Sequence, residues 1–292
     1  MLSYLMIIVS AVLWGTISIY YRNLTGLGMT RMDAVFTRVL IAAVIIGIFL
    51  LIFDRKKLRI RLRDLWIFIG TGLLSMFTMN ISYCSAIDMT SAAVAAVLLY
   101  TAPVFVAVMS VLLFRDKLSP RKIFALLLTI PGCALVSGLL DGGGGHYPAL
   151  GIGMGLLSGF SYALYTIFSR YALDRDYSPL TISFWTFAFS SLAAVFFVSP
   201  AEVFSIMAGS AKAAVNGVGL GFLTAALPYF LYTRGLEKVP NSDASVIATV
   251  EPVVAALVSL LIYHEPMSLS AALGIVIVLG AVLLINIKPK KS

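Results

Sequence analysis

Nine stretches of this chain run fifteen residues or longer without one Asp, Glu, Lys or Arg: 1–21, 39–53, 65–87, 89–114, 123–140, 142–169, 177–201, 213–233 and 266–287. A helix that crosses a bilayer needs about 20 mainly apolar residues. The second run reaches that length if Arg38 is admitted, which extends it back to Ala34. A further run, 252–264, reaches it if Glu251 is admitted, which extends it back to Ala244. Ten helices follow, roughly 2–22, 33–53, 65–87, 91–114, 122–140, 149–172, 179–199, 213–235, 241–263 and 268–287. The connections left between them are too short for a soluble domain. The expected fold class is an all-α membrane protein with ten transmembrane helices.

Composition points the same way. Hydrophobic residues make up 60% of the chain and charged residues 12%. A soluble domain carries about 25% charge, so these residues cannot cover a water-facing surface. Intrinsic disorder is excluded on the same ground. The net charge of +8 is not a nucleic-acid signal, because the basic residues lie between apolar segments and not in a patch. Cys84 and Cys133 fall inside apolar runs, and His146 and His264 lie near segment ends. Neither set suits a metal centre, and no metal or cofactor is expected. The first segment has no basic leader and meets its first charge at Arg22, so it reads as a retained helix.

Lys and Arg favour cytoplasmic loops. Of the 21 basic residues, 17 fall on one side of the ten-helix plan, and Arg22, Arg31 and Lys212 fall on the other. Both termini are therefore expected in the cytoplasm and the chain in the plasma membrane.

The two halves resemble one another at a shift of 149 residues. Gly70 falls on Gly219, Tyr83 on Tyr232, Asp88 on Glu237, Pro103 on Pro252, Ser110 on Ser259 and Ser119 on Ser268. The expected units are residues 1–141 and 149–287, with a basic tail at 288–292. Each unit would hold five helices. An odd number turns the second copy upside down, the inverted-repeat plan of many secondary transporters. No GxxxxGK[ST] motif is present for an ATP-driven pump. The glycines at 142–145 lack the strand–helix setting of a phosphate cradle and read as a flexible joint between repeats.

Four features carry a resemblance to a known group: Leu13-Trp14-Gly15, Tyr100-Thr-Ala-Pro103, Thr249-Val-Glu-Pro-Val-Val-Ala-Ala256 and Glu265. With the ten-helix plan, the whole chain resembles the drug/metabolite transporter superfamily, specifically its EamA-type family. The resemblance implies movement of amino acids, other small metabolites or cationic compounds, many of them outward.

An ionisable residue at membrane depth is a functional candidate by default. Glu251 stands ten residues beyond Asn241, so it sits ~15 Å along its helix, near the midplane. Pro252 removes the hydrogen bond to the Ala248 carbonyl, and Pro103 is its counterpart. A free carbonyl beside a carboxylate suits a proton, an ammonium group or another cation. The bland alternative is a carboxylate locked to Tyr or Ser partners. Arg38 has two readings: a side chain that snorkels to the membrane surface, or a bidentate partner for a substrate carboxylate.

Polar and aromatic residues recur at helical spacing. Ser10, Trp14, Ser18 and Tyr21 share one face, and Ser158, Tyr162, Thr166 and Ser169 repeat it. Asn80 and Tyr83 share another, with counterparts Tyr229 and Tyr232. Such faces should point inward, either as interhelical hydrogen bonds worth ~0.6 kcal/mol each or as a cavity lining. The substrate-facing candidates are Trp14, Arg38, Asn80, Tyr83, Tyr100, Tyr162, Tyr229, Tyr232 and Glu251, with Glu251 also coupling protons. Gly151, Gly155 and Gly159 form a small-residue stripe for close helix contact. Asp116 and Glu265 are expected to cap the helices that follow them or to bind loop backbone.

The expected function is secondary transport by alternating access, most simply export of an amino acid or similar small polar metabolite. Proton-coupled uptake of a quaternary ammonium such as choline is the alternative. An intramembrane enzyme would need a nucleophile–base pair that the sequence lacks, and a non-transporting scaffold leaves the repeat without a purpose. The expected partners are a small-molecule substrate, the lipid bilayer and protons, with no nucleic acid; monomer and homodimer both stay open.

Overall fold

The computed structural model describes residues 2–139 and 147–286, with side chains through Leu284. The glycine run 142–145, His146 and the tail 288–292 lie outside the described residues. The described chain is helical throughout, with no strand. In chain order the helices are α1 (Leu2–Thr25), α2 (Arg31–Phe53), α3 (Leu62–Met89), α4 (Ala92–Phe114), α5 (Pro120–Val136), α6 (Ala149–Leu173) and α7 (Pro179–Phe197). They continue with α8 (Pro200–Gly209), α9 (Ala211–Leu236), α10 (Asn241–Ile262) and α11 (Leu269–Asn286).

Among the described residues, eight of these, all but α5, α8 and α11, are long and apolar enough to cross a membrane. Of the other two expected segments, α5 is helical but shorter, and α11 follows its expected course as far as the described residues run. The segment expected at 122–140 stops at Val136 for a local reason. Gly138 adopts a left-handed conformation (φ 75°), and Leu139 N–H donates to the Ala134 carbonyl, closing a Schellman-type cap. Helix α8 was not expected from the sequence. It buries Val203 beside Leu24, Phe36 and Leu220.

Two sets of bonds define the ends of the bundle. At one end, Lys122 pairs with Asp243, Arg175 with Asp64, and Tyr177 with both Asp64 and the Arg61 N–H. This end gathers the connections that carry most of the basic residues. At the other end, Arg22 pairs with Glu265, Arg31 with Asp88, and Asn23 with Asn216. The flanks expose large apolar side chains such as Ile48, Ile52, Leu112 and Val276, as a lipid-facing surface requires.

Local backbone features recur at the same 149-residue shift. The π-helical stretch Gly70–Phe77 of α3 has a counterpart in Phe222–Ala226 of α9. Helix α4 breaks after Leu99 and α10 after Ala248. Arg115 and His264 are both left-handed, with φ of 57° and 55°. The N–H of Asp116 reaches the Ser110 carbonyl, and that of Glu265 reaches the Ser259 carbonyl, each at 3.2 Å.

Small residues permit the close crossings. A Cβ on Gly274 of α11 would lie 2.6 Å from the Val136 nitrogen and 2.7 Å from the Gly132 carbonyl of α5. The α6 stripe meets α3 and α4: Gly151 lies against Met89, while Gly155 and Gly159 lie against Leu98. The expected caps are corrected. The first turns of α5 and α11 are capped by Ser119 and Ser268, which accept from Lys122 N–H and Ala271 N–H. Glu265 is engaged instead by Arg22 and Ser259.

Candidate functional site

A cavity of about 700 Å³ runs from the Arg22–Glu265 end into the middle of the bundle. Its walls come from α1, α2, α3, α4, α6, α9 and α10, with α5 at the rim. That volume is in the range of small-molecule pockets, roughly 300–1,000 Å³.

Glu251 lies on its wall. Helix α1 approaches α10 here because Gly15 has no side chain: a Cβ would stand 2.8 Å from the Glu251 carbonyl and 2.5 Å from Val254 Cβ. The Leu13-Trp14-Gly15 sequence thus sets the α1 backbone against Glu251 and places Trp14 on the wall of the same cavity. The Tyr162 and Tyr100 hydroxyls are polar neighbours of the carboxylate. Both α4 and α10 are interrupted at this depth, after Leu99 and Ala248. Pro103 and Pro252 follow the breaks and have no N–H for the carbonyls four residues back.

Arg38 is buried, at 5% exposure. Its Nη2 donates to the Thr224 carbonyl at 2.6 Å. That carbonyl is available because Pro228, four residues on, has no N–H to offer it. The head therefore points into the protein and not out to the membrane surface. Among the described residues Arg38 and Glu251 make no direct ion pair, although both line the one cavity.

An aromatic floor joins the two charges. The Arg38 guanidinium lies 6.0 Å from the Tyr229 ring centroid. Tyr229 meets Trp14 edge-on at 5.0 Å, and Trp14 meets Tyr162 edge-on at 6.3 Å. Tyr83 and Asn80 line the cavity from α3, the Asn80 amide donating to the Met76 carbonyl of its own helix. Of the residues expected to face substrate, only Tyr232 lies off this cavity. It sits one turn deeper than Tyr229, its hydroxyl bonded to Thr166 at 2.8 Å. A separate hollow of about 10 Å³ lies there, bordered by Tyr100, Tyr162, Tyr232 and Ser245, room for about one water molecule.

Below that hollow the bundle is shut. Tyr165 bonds Thr233 at 2.7 Å, and Arg170 bonds both Asn241 and the Val239 carbonyl. Lys122 Nζ lies 2.6 Å from Asp243. Sequence reasoning missed this closure, since the partners lie far apart in the chain with no shared motif. It also missed the rim residues Arg22 and Arg31. The signal for Arg22 was its place directly after the Ser10–Trp14–Ser18–Tyr21 stripe. Two of the four stripe serines serve their own helices: Ser10 bonds the Ile7 carbonyl and Ser158 the Gly155 carbonyl.

Comparison with other proteins places this architecture. The profile of the EamA-like transporter family matches residues 1–138 and again 149–287. An uncharacterized transporter of Archaeoglobus fulgidus is 30% identical over 280 residues, covering 95% of this chain and 94% of its own. The uncharacterized inner membrane transporter YicL of Salmonella typhimurium is 25% identical, covering 98% and 95%. A crystal structure superposes with a TM-score of 0.79 over 97% of this chain and 96% of that one. At 17% identity that likeness speaks for the fold alone. This chain is a multi-pass membrane protein and belongs to the EamA-like transporter family.

Proposed function

We propose that the protein is a secondary transporter of the plasma membrane that works by alternating access and exports an amino acid or a similar small polar metabolite. One observation carries the reading: a cavity open at one end and shut at the other stops at a membrane-depth carboxylate, Glu251. Access to such a site from one side at a time is what alternating transport requires.

The architecture behind it is two inverted five-helix repeats, with α5 and α11 completing ten spans. Support comes from the family profile matching twice, and from π stretches, helix breaks and left-handed residues that recur at one shift. The positive-inside rule puts the basic, shut end in the cytoplasm with both termini. The open end then faces outward, the release state of an exporter. Glu251 takes up a proton or holds the substrate's cationic group. No chemistry is performed on the substrate.

Uptake of a quaternary ammonium is the second reading, favoured by the tyrosines and Trp14 around the carboxylate, since aromatic faces attract cations. Counterflow in liposomes reconstituted with pure protein tests the transport reading: exchange of a labelled solute supports it, and none across amino acids, quaternary amines and small organic acids defeats it. Glu251→Gln should abolish proton-driven accumulation at unchanged membrane abundance; undiminished accumulation would remove the coupling role.

A further inference from the structure

Two buried N–H groups, both belonging to residues that line the cavity, have no protein partner: Arg38 Nε and Trp14 Nε1. Their residues are 5% and 3% exposed, and they flank the same Tyr229 ring. A buried donor left without an acceptor costs about 1–3 kcal/mol, more when charged, so native proteins seldom keep one without a use. No carboxylate pairs directly with the Arg38 guanidinium, and the Glu251 charge acts on it only at a distance, so the cost of burying that cation is only partly offset. The Thr224 carbonyl takes up one arm of it and neutralises none of its charge.

We infer that Arg38 and Trp14 form a seat for a carboxylate, so that the solute is a zwitterion spanning the cavity from this seat to Glu251. The inference rests on the transport reading and deepens it. Arg38 and Trp14 both stand against the Tyr229 ring and mark one pole, and Trp14 leads through Tyr162 to Glu251 at the other: a cationic pole, aromatic faces and an anionic pole. The carboxylate meets the guanidinium and the indole N–H, the ammonium meets Glu251, and the body of the solute lies on the aromatic floor. Each buried charge of the protein then gains a counter-charge from the ligand. A cation without a carboxylate would leave Arg38 with no direct counter-charge, which is a strong ground for rejecting it.

Cys84 supplies the readout. It lines the cavity and is partly exposed, whereas Cys133 is fully buried. The rate at which a membrane-impermeant maleimide alkylates Cys84 is measured on purified protein with three pools: the natural L-amino acids, their carboxamides, and the matching carboxylic acids lacking the amine. The amino acids should slow labelling most, the amine-free acids less, and the carboxamides not at all. Trp14→Phe keeps an aromatic ring but removes the N–H together with the fused second ring; it should weaken protection by at least about tenfold, the loss of one charge-assisted hydrogen bond. Arg38→Lys should weaken it further while leaving the gel-filtration profile intact. Equal protection by carboxamides, no protection by either carboxylate pool, or a Trp14→Phe variant protected as well as the parent overturns the seat. Counterflow separates this from the underlying reading: exchange of quaternary amines alone would sink the seat and keep the transporter, while protection by amino acids without exchange of any solute would do the reverse.

Discussion

Lys122→Ala should loosen the shut end of the bundle. Lys122 Nζ stands 2.6 Å from an Asp243 carboxylate, with 22% and 7% of the two side chains exposed. Breaking a fully buried pair costs about 3–5 kcal/mol, and an exposed pair is worth under about 1 kcal/mol. The partial exposure of Lys122 puts this pair near 2 kcal/mol, or about 30-fold in the ratio of shut to open forms. A Ser245→Cys reporter reads that ratio, because Ser245 borders the small hollow just above the closure and is 6% exposed. With Cys84→Ser as background, Lys122→Ala should raise labelling of the reporter by up to about 30-fold. Asp243→Asn on top of it should add little, since the contact is already gone. Labelling unchanged by Lys122→Ala, or raised to the same degree by a charge removal at the exposed Lys57–Asp54 pair, would refute the assignment of the pair as the fastening of this end.

Other expectations follow from single contacts. Gly274→Leu would drive a side chain into the Gly132 carbonyl and the Val136 nitrogen, so α5 and α11 must separate; melting followed by gel filtration should show several degrees lost, and an unchanged midpoint would refute the close crossing. The Arg22 guanidinium, then the Ser259 hydroxyl, hold the Glu265 carboxyl below the usual range for a glutamate. A carboxyl lowered by folding contributes stability above its unfolded value and loses it as the pH falls through its folded value. The thermal advantage of the parent over Glu265→Gln should therefore persist through neutral and mildly acidic pH and vanish only at more acidic values; an advantage lost already at mildly acidic pH would contradict the pairing. Pro228→Ala gives the Thr224 carbonyl a helical donor in competition with Arg38, and should weaken the hold on any carboxylate solute without unfolding the protein, as read by Cys84 protection.

The helices were legible because lipid leaves the sequence little choice: each apolar run must satisfy its own backbone, and charged residues mark the ends. Expected limits such as 241–263 and 149–172 fall within one residue of Asn241–Ile262 and Ala149–Leu173. The short α8 was invisible because Pro200–Gly209 spans no membrane thickness, and what holds it, the burial of Val203 in one cluster with Leu24, Phe36 and Leu220, is tertiary. The cavity wall was legible as far as faces go, since spacing fixes direction around a helix. Depth was less so. Tyr229 and Tyr232 share a face, but one turn separates the cavity floor from the closure beneath it. The anchoring of Arg38 depends on a proline in another helix far along the chain, and no local pattern announces such a pairing.

The interruptions in the walls have a mechanical consequence. Helix α1 is broken at Thr16, α4 at Tyr100 and α10 at Thr249, while α3 and α9 carry π stretches in their midsections. A helix with an intact hydrogen-bond ladder swings as one stiff rod, whereas an interrupted one bends at its flaw. Five of the staves around the cleft are thus jointed partway along. In the transport cycle proposed above, their outer halves would lean inward as short levers while their inner halves stayed fastened, and the mouth would narrow without either half of the barrel being dragged bodily through the lipid.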